Sequence, residues 1–336
     1  MRIIDGHNDA LLRAYEAGDD GSGLLRAGEG AVDLPAARVG GLAAGLFAVF
    51  SPSPGEERVD VPPPLPWADA APVAAGVAAR AFALVRASAG AVRLVRDADD
   101  LAACVAGEAF GLVLHIEGAE AIDPGLEALD LWHAAGLRSL GPVWSRPNAF
   151  GEGVPFAFPS SPDTGGGLTE AGTALVRGCA RLGIAVDLSH INEAGFWDAA
   201  KALDGRPLIA SHSGAHALCQ ASRNLTDRQL RAIGASGGLV GIVFACPFLR
   251  ADGANDADTP LSRIVEHARY AADLIGVEHV ALGSDFDGAT MPAALRTARE
   301  LPALVDALRD GGFTEAELEL ICHGNWQRVL AAAWST

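Results

Sequence analysis
Residues 168–190, LTEAGTALVRGCARLGIAVDLSH, decide the fold. Thr169 and Glu170 open a helix, apolar positions follow at helical spacing, and Gly183 stops it. The apolar run over 184–189 then reads as a buried strand that ends on a polar residue, His190. The same unit recurs along the chain. Strands are expected near 2–6, 42–49, 110–116, 137–143, 184–189, 207–211, 239–245 and 279–284. Helical periodicity fills 71–105, 118–136, 168–182, 192–204, 224–236 and 260–276. Near-continuous apolar strands alternating with helices imply a parallel sheet buried on both faces. Eight such units in 336 residues fit a closed (β/α)8 TIM barrel better than an open doubly wound sheet. No GxGxxG follows the first strand to favour the open alternative.

Two stretches interrupt this rhythm within what reads as one catalytic domain over 1–336. Residues 51–70 are too proline-rich for helix or strand and are expected to form a surface loop. Residues 144–167 form a second long loop, and long loops in compact folds are often lids or binding loops.

Composition narrows the function. With 25 basic and 42 acidic side chains the net charge is −17, which excludes a basic stripe for a phosphate backbone and argues against a nucleic-acid partner. No run approaches about 20 uninterrupted apolar residues, so no membrane span is expected. The start lacks a secretory leader, and the five cysteines are widely spaced with no CxxC, as reduced core thiols of a cytoplasmic protein would be.

In a barrel of this type the chemistry sits where strands end. Those positions hold His7 and Asp9 (in DGHND), Glu117, His190, His212 and Asp285. His7 and Asp9 are two apart, so on a strand they would face the same side. One buried histidine is usually structural, but six such groups on one rim are hard to obtain by chance. Imidazole plus carboxylate without thiolate suits zinc. Three histidines and three carboxylates exceed the about three ligands of one catalytic zinc, so two zinc ions bridged by a carboxylate are the better fit. The only lysine, Lys201, falls in the expected helix 192–204 and cannot supply a carbamylated bridge, leaving Glu117 for that place.

The segments DGHND, HIEGAE, DLSH, SHSGAHALCQASRN and GSDFDG, in that order, resemble the membrane (renal) dipeptidase family of binuclear zinc peptidases, with amidohydrolase-type barrels. The likeness extends to GNWQRVL near the end. It implies His7 and Asp9 on one zinc, Glu117 as bridge, and His190 and His212 on the second. Asp285 then corresponds to the acid–base carboxylate, and Arg223 to the arginine that holds the substrate's terminal carboxylate. A hydroxide shared by the two ions would attack the peptide carbonyl, and Asp285 would pass the proton to the departing amine. A planar guanidinium matches a carboxylate two-pronged.

One position departs from the family. Trp144 stands where a substrate-contacting histidine is often found, and an indole offers one N–H and no acceptor. The substrate expected is a dipeptide, with a D-residue accepted at the C-terminal side as in bacterial relatives. The alternative is an N-acyl amino acid or a lactone on the same metal site. A silent binding barrel is a third reading, against which the full ligand set argues. Exposed barrel helices make a homodimer reasonable. His115 is expected in the core beneath the site, Asp287 as a brace of the turn after the last strand, and Asn8 facing away from its neighbours. His216 could reach substrate or lie on a helix surface. His133, His267, His279 and His323 belong to helices or to the wrong end of strands.

Overall fold
The computed structural model describes residues 1–53 and 61–335. Among the described residues there are nine strands: β1 (Ile3–Asn8), β2 (Leu42–Phe50), β3 (Val92–Leu94), β4 (Phe110–Glu117), β5 (Leu137–Gly141), β6 (Ala185–Val186), β7 (Ile209–Ser213), β8 (Leu239–Ile242) and β9 (Val280–Leu282). Every pairing between these strands is parallel. One sheet runs β1-β2-β4-β5-β6, and a second runs β7-β8-β9. Single bridges join the two, Asp187 to Ile209 and Asn8 to Phe286. At these seams the Leu188 N–H donates to the Ile209 carbonyl at 2.8 Å and the Asp285 N–H to the His7 carbonyl at 3.0 Å. Eight strands therefore close into a (β/α)8 barrel, as the alternation of elements requires.

β3 is the ninth strand and corrects the expected helix over 71–105. That segment is two helices, Trp67–Ala87 and Ala98–Ala106. Ala89 and Gly90 take φ of 51° and 92°, which no helix continues through. The chain then pairs Val92–Leu94 with the start of β4. Asp97 restarts the helix by accepting from the Asp100 N–H at 2.8 Å. Over 118–136 only Glu127–Ala135 is α-helix, because Pro124 and Gly125 interrupt it. The helix that opened the sequence reading runs Glu170–Leu182, capped by Thr169 and ended by Gly183 at φ 68°.

Two apolar layers hold the barrel. Ile4, Leu46, Val113, Ile209, Leu239 and Ala281 join one buried cluster with Trp326, Val329 and Leu330. A much larger cluster lies between the strands and the surrounding helices. The chain's end is the plug of the inner layer: a π-helical turn at Leu320–Gly324 leads into the helix Asn325–Trp334. There Asn325 Nδ2 donates to the Val277 and Val280 carbonyls at 2.8 Å each, and Trp326 Nε1 to the Leu282 carbonyl at 3.0 Å. The helix Trp67–Ala87 is the one described helix long and apolar enough by composition to cross a membrane. Its Ala70, Ala74, Val77, Ala78, Ala81 and Leu84 are buried in this fold.

Three glycines shape the barrel's waist. A Cβ on Gly6, Gly241 or Gly283 would run into the Ser211 carbonyl. That carbonyl sits where the β7–β8 register shifts between Ala210 and Ser213. Replacing Trp326, fully buried and hydrogen-bonded, with Ala is expected to destabilise the protein by about 3–5 kcal/mol. A denaturant midpoint unchanged from the parent would contradict its role as plug.

Candidate functional site
All six expected rim residues meet at the C-terminal mouth. His7 lies in β1 with Asp9 just beyond it, Glu117 ends β4, and His212 lies in β7. His190 and Asp285 follow β6 and β9 within a few residues. Glu117 Oε1 is the hub, with His190 Nε2 at 2.9 Å and the Nε2 atoms of His7 and His212 each at 3.5 Å. His7 Nε2 is 3.4 Å from Asp9 Oδ2. His190 and His212 face each other Nε2 to Nε2 at 3.1 Å. The ligand atoms of His7, Glu117 and His212 all lie within 4.8 Å of one another, as do those of His7, Asp9 and Asp285. Asn8 turns away, its amide donating to the Leu46 carbonyl at 3.4 Å.

The electrostatics of this cluster are those of a cation site. Burial pushes the Glu117 carboxyl up to about 8 and the Asp285 carboxyl up to about 7, against the pull of the neighbouring His7. Burial alone would lower His7, but Glu117, Asp9 and Asp285 together outweigh it and lift it to about 10. Burial, with neighbouring cationic groups, drives His190 and His212 well below the usual imidazole range. These two are therefore neutral donors at physiological pH. His7 Nδ1, His7 Nε2 and Asp9 Oδ1 are buried without hydrogen-bond partners. Orphaned nitrogen and oxygen atoms around neutral imidazoles, with no thiolate, fit a borderline divalent ion such as zinc.

A layer of residues that sequence reasoning missed holds the imidazoles. Asp187 accepts from the Ser211 N–H at 2.8 Å and hydroxyl at 2.6 Å, and from the Ser189 hydroxyl at 2.7 Å. Ser211 Oγ in turn meets His212 Nδ1 at 2.8 Å, and Ser145 Oγ meets His190 Nδ1 at 2.9 Å. Both contacts fix the ring face that leaves Nε2 pointing at the hub. The serines of DLSH and ASHS, beside the expected histidines, were the available signal. Asp285 takes φ 63°, and Gly288 is obligatory nearby, since a Cβ there would collide with the carboxylates of Asp9 and Asp285. Asp287 braces, accepting from the Ala31 N–H at 2.7 Å and pairing with Arg13 Nε at 3.1 Å. His115 sits below, 2.9 Å from Ser139 Oγ. His216 Nε2 contacts the Ser160 carbonyl at 2.9 Å, tying the long loop to the barrel.

A cavity of about 600 Å³ opens over the hub, reached by Asp9, Glu117, His190, Arg223 and Asp285. Both interrupting loops wall it: Pro62 and Pro63 from the first, Trp144, Phe156 and Phe158 from the second. The first loop is thus part of the mouth rather than plain surface, and its residues 54–60 lie outside the described residues. Arg223 is buried and has no carboxylate within ion-pairing reach among the described residues. Its donors serve the Ser189 carbonyl, Ser213 Oγ at 3.1 Å and the His212 carbonyl at 2.9 Å, and its Nε lies 3.2 Å from His190 Nδ1. With His190 Nε2 turned to the hub as a ligand, Nδ1 carries the ring proton and cannot accept, so three of the five N–H groups are engaged.

A parallel barrel with imidazoles and carboxylates converging at its strand ends defines a metal-dependent hydrolase. The membrane dipeptidase (peptidase M19) family model matches residues 1–335, and the chain belongs to that family as a metallo-dipeptidase. A metallo peptidase from Rhodobacter sphaeroides, solved with a phosphinate mimic of the dipeptide L-Ala-D-Ala, superposes with a TM-score of 0.96 at 44% identity over 99% of both chains. An M19 metallo peptidase solved as dipeptidase AC gives 0.96 at 46% identity, over 100% of this chain and 99% of that one. A Klebsiella pneumoniae protein encoded in the pqqA 5' region is 48% identical over 251 residues, 75% of this chain and 92% of its own.

Ser211→Ala is expected to weaken metal binding about 10–100-fold while the fold is kept, measured by chelator competition. Burial holds the Glu117 carboxyl above the usual carboxylate range, and the neighbouring acids hold His7 above the usual imidazole range, so the metal-free cluster favours bound protons. Metal uptake is expected to displace protons, and the apparent affinity to fall as pH is lowered. Calorimetry in buffers of differing ionisation enthalpy reads that release; a buffer-independent heat would contradict it.

Proposed function
We propose that the enzyme binds two zinc ions and hydrolyses dipeptides, including those of L-Xaa-D-Xaa configuration. The observation that carries this reading is the facing of three imidazole Nε2 atoms toward one carboxylate oxygen, Glu117 Oε1. Glu117 would hold the pair of ions together with His7, Asp9, His190 and His212. When bound, the pair supplies Lewis acidity that activates water and polarises the scissile carbonyl. Asp285 stands beside Asp9 and His7 with its carboxyl near neutrality, suited to accept a proton from water and return it to the leaving amine.

Arg223 gives the selectivity for a free terminal carboxylate. Burial lowers its guanidinium only to about 10, so it stays charged, open to the cavity and without an ion-paired acid among the described residues. Its internal hydrogen bonds already engage three of its N–H groups, so the substrate carboxylate is held by the remaining donors and the full charge. The Rhodobacter sphaeroides relative bound to an L-Ala-D-Ala mimic supports the stereochemical part. The five unpaired, buried thiols suit a reducing compartment, and we place the enzyme in the cytoplasm.

Zinc-reconstituted protein should carry two ions per chain and turn over members of an L,L and L,D dipeptide library in preference to N-acyl amino acids. Glu117→Ala should abolish turnover with little loss of stability. Asp285→Asn should keep the metal and lower kcat by about 10²–10⁴. A library with no hydrolysed dipeptide would refute the reading.

A further inference from the structure
We infer that Arg146, which touches neither the metal-site cluster nor the cavity, is a positioning residue that fixes the substrate-binding wall. Its side chain is completely buried. Nε pairs with Glu120 Oε1 at 2.7 Å, one terminal nitrogen donates to Ser53 Oγ at 2.9 Å, and the other to the Ser51 carbonyl at 2.7 Å. The guanidinium carbon also lies 5.3 Å from the ring centres of both Phe50 and Trp144. One cation therefore joins three separate rim segments: the end of β2 with the loop after it, the turn after β4, and the loop after β5.

Those attachments matter because of what lines the cavity. Phe50, Ser53 and Trp144 all do, and Arg146 does not. Trp144 and Phe50 lie 4.9 Å apart, and Trp144 is 5.3 Å from Phe156, so the three rings make a continuous apolar face beside His190. The Trp144 indole N–H has no protein partner among the described residues, and its ring is backed by Arg146. The charged fork does this from the dry side, through its attraction to the ring faces and its hold on Ser51 and Ser53. Specificity for the side chain that meets this face is thus written partly in a residue the substrate never touches.

The inference rests on the cavity being the dipeptide site, and the test separates the two. Removing Arg146 outright would strand Glu120 as a buried, unpaired charge, so Arg146→Lys is used beside Glu120→Gln, and neither residue lines the cavity. Each is assayed with zinc content, thermal midpoint and steady-state kinetics on a small and a bulky dipeptide. The expected result for Arg146→Lys, which loses the fork, is native zinc content, kcat within about twofold, KM raised about tenfold, and weakened discrimination between the two substrates. Glu120→Gln, which keeps an oxygen acceptor for Arg146 Nε and leaves the hold on Ser51 and Ser53, should retain the parent KM and discrimination. Wild-type protein inactive on every dipeptide would overturn both readings. An active wild type with KM and discrimination unchanged in Arg146→Lys, or with kcat and zinc lost in step with KM, would overturn this inference alone.

Discussion
Three carboxylates, the buried Asp9 and Glu117 and the half-buried Asp285, are brought together at one mouth. Charge held that way must be neutralised by protons or by bound cations. Nearly every local peculiarity of the rim answers that demand. His190 and His212 are kept neutral, and serines orient their rings. Gly288 lets the chain pass close to two acids, and Asp285 accepts a left-handed backbone. A closed parallel barrel is the scaffold that can meet this constraint, because it delivers residues from opposite ends of the sequence to one ring of strand ends.

The support of the site is layered by chemistry. Nearest the hub are imidazoles and acids. Around them runs a hydroxyl and carboxylate mesh in which Asp187 serves two neighbouring strand ends through Ser189 and Ser211. Outside that stand the aromatic walls and the buried Arg146–Glu120 pair. Rigid strands carry the reacting groups, whereas the loops that follow them carry the surfaces a substrate meets. Such a division keeps the chemistry fixed while recognition is adjusted elsewhere.

The barrel was legible because its strands are apolar runs of the right length separated by periodic helices, and all eight expected ring strands are present. β3 was not, since three residues between two helical segments leave no period to detect, and only Ala89–Gly90 marks the break. The C-terminal plug was also hidden: GNWQRVL carried the family likeness, but nothing in its residues places Trp326 beneath the strands. At the site, the six ionisable residues announced themselves by position and type. Ser211, Asp187 and Arg146 did not, because their roles come from contacts between segments far apart in the chain. Arg223 was read as a free fork, and only coordinates reveal how many of its donors are already engaged.

The waist of the barrel is closed by main chain at one point. Gly6, Gly241 and Gly283 crowd the Ser211 carbonyl so closely that none has room for a side chain, and main chain packs on main chain beside the residue that precedes His212. Side chains drift in volume as sequences diverge, but a floor made of peptide groups has nothing to swap. New substrate ranges in such a protein must therefore arise from above, by remodelling the entrance, while the ground on which the imidazoles stand stays closed to gradual change.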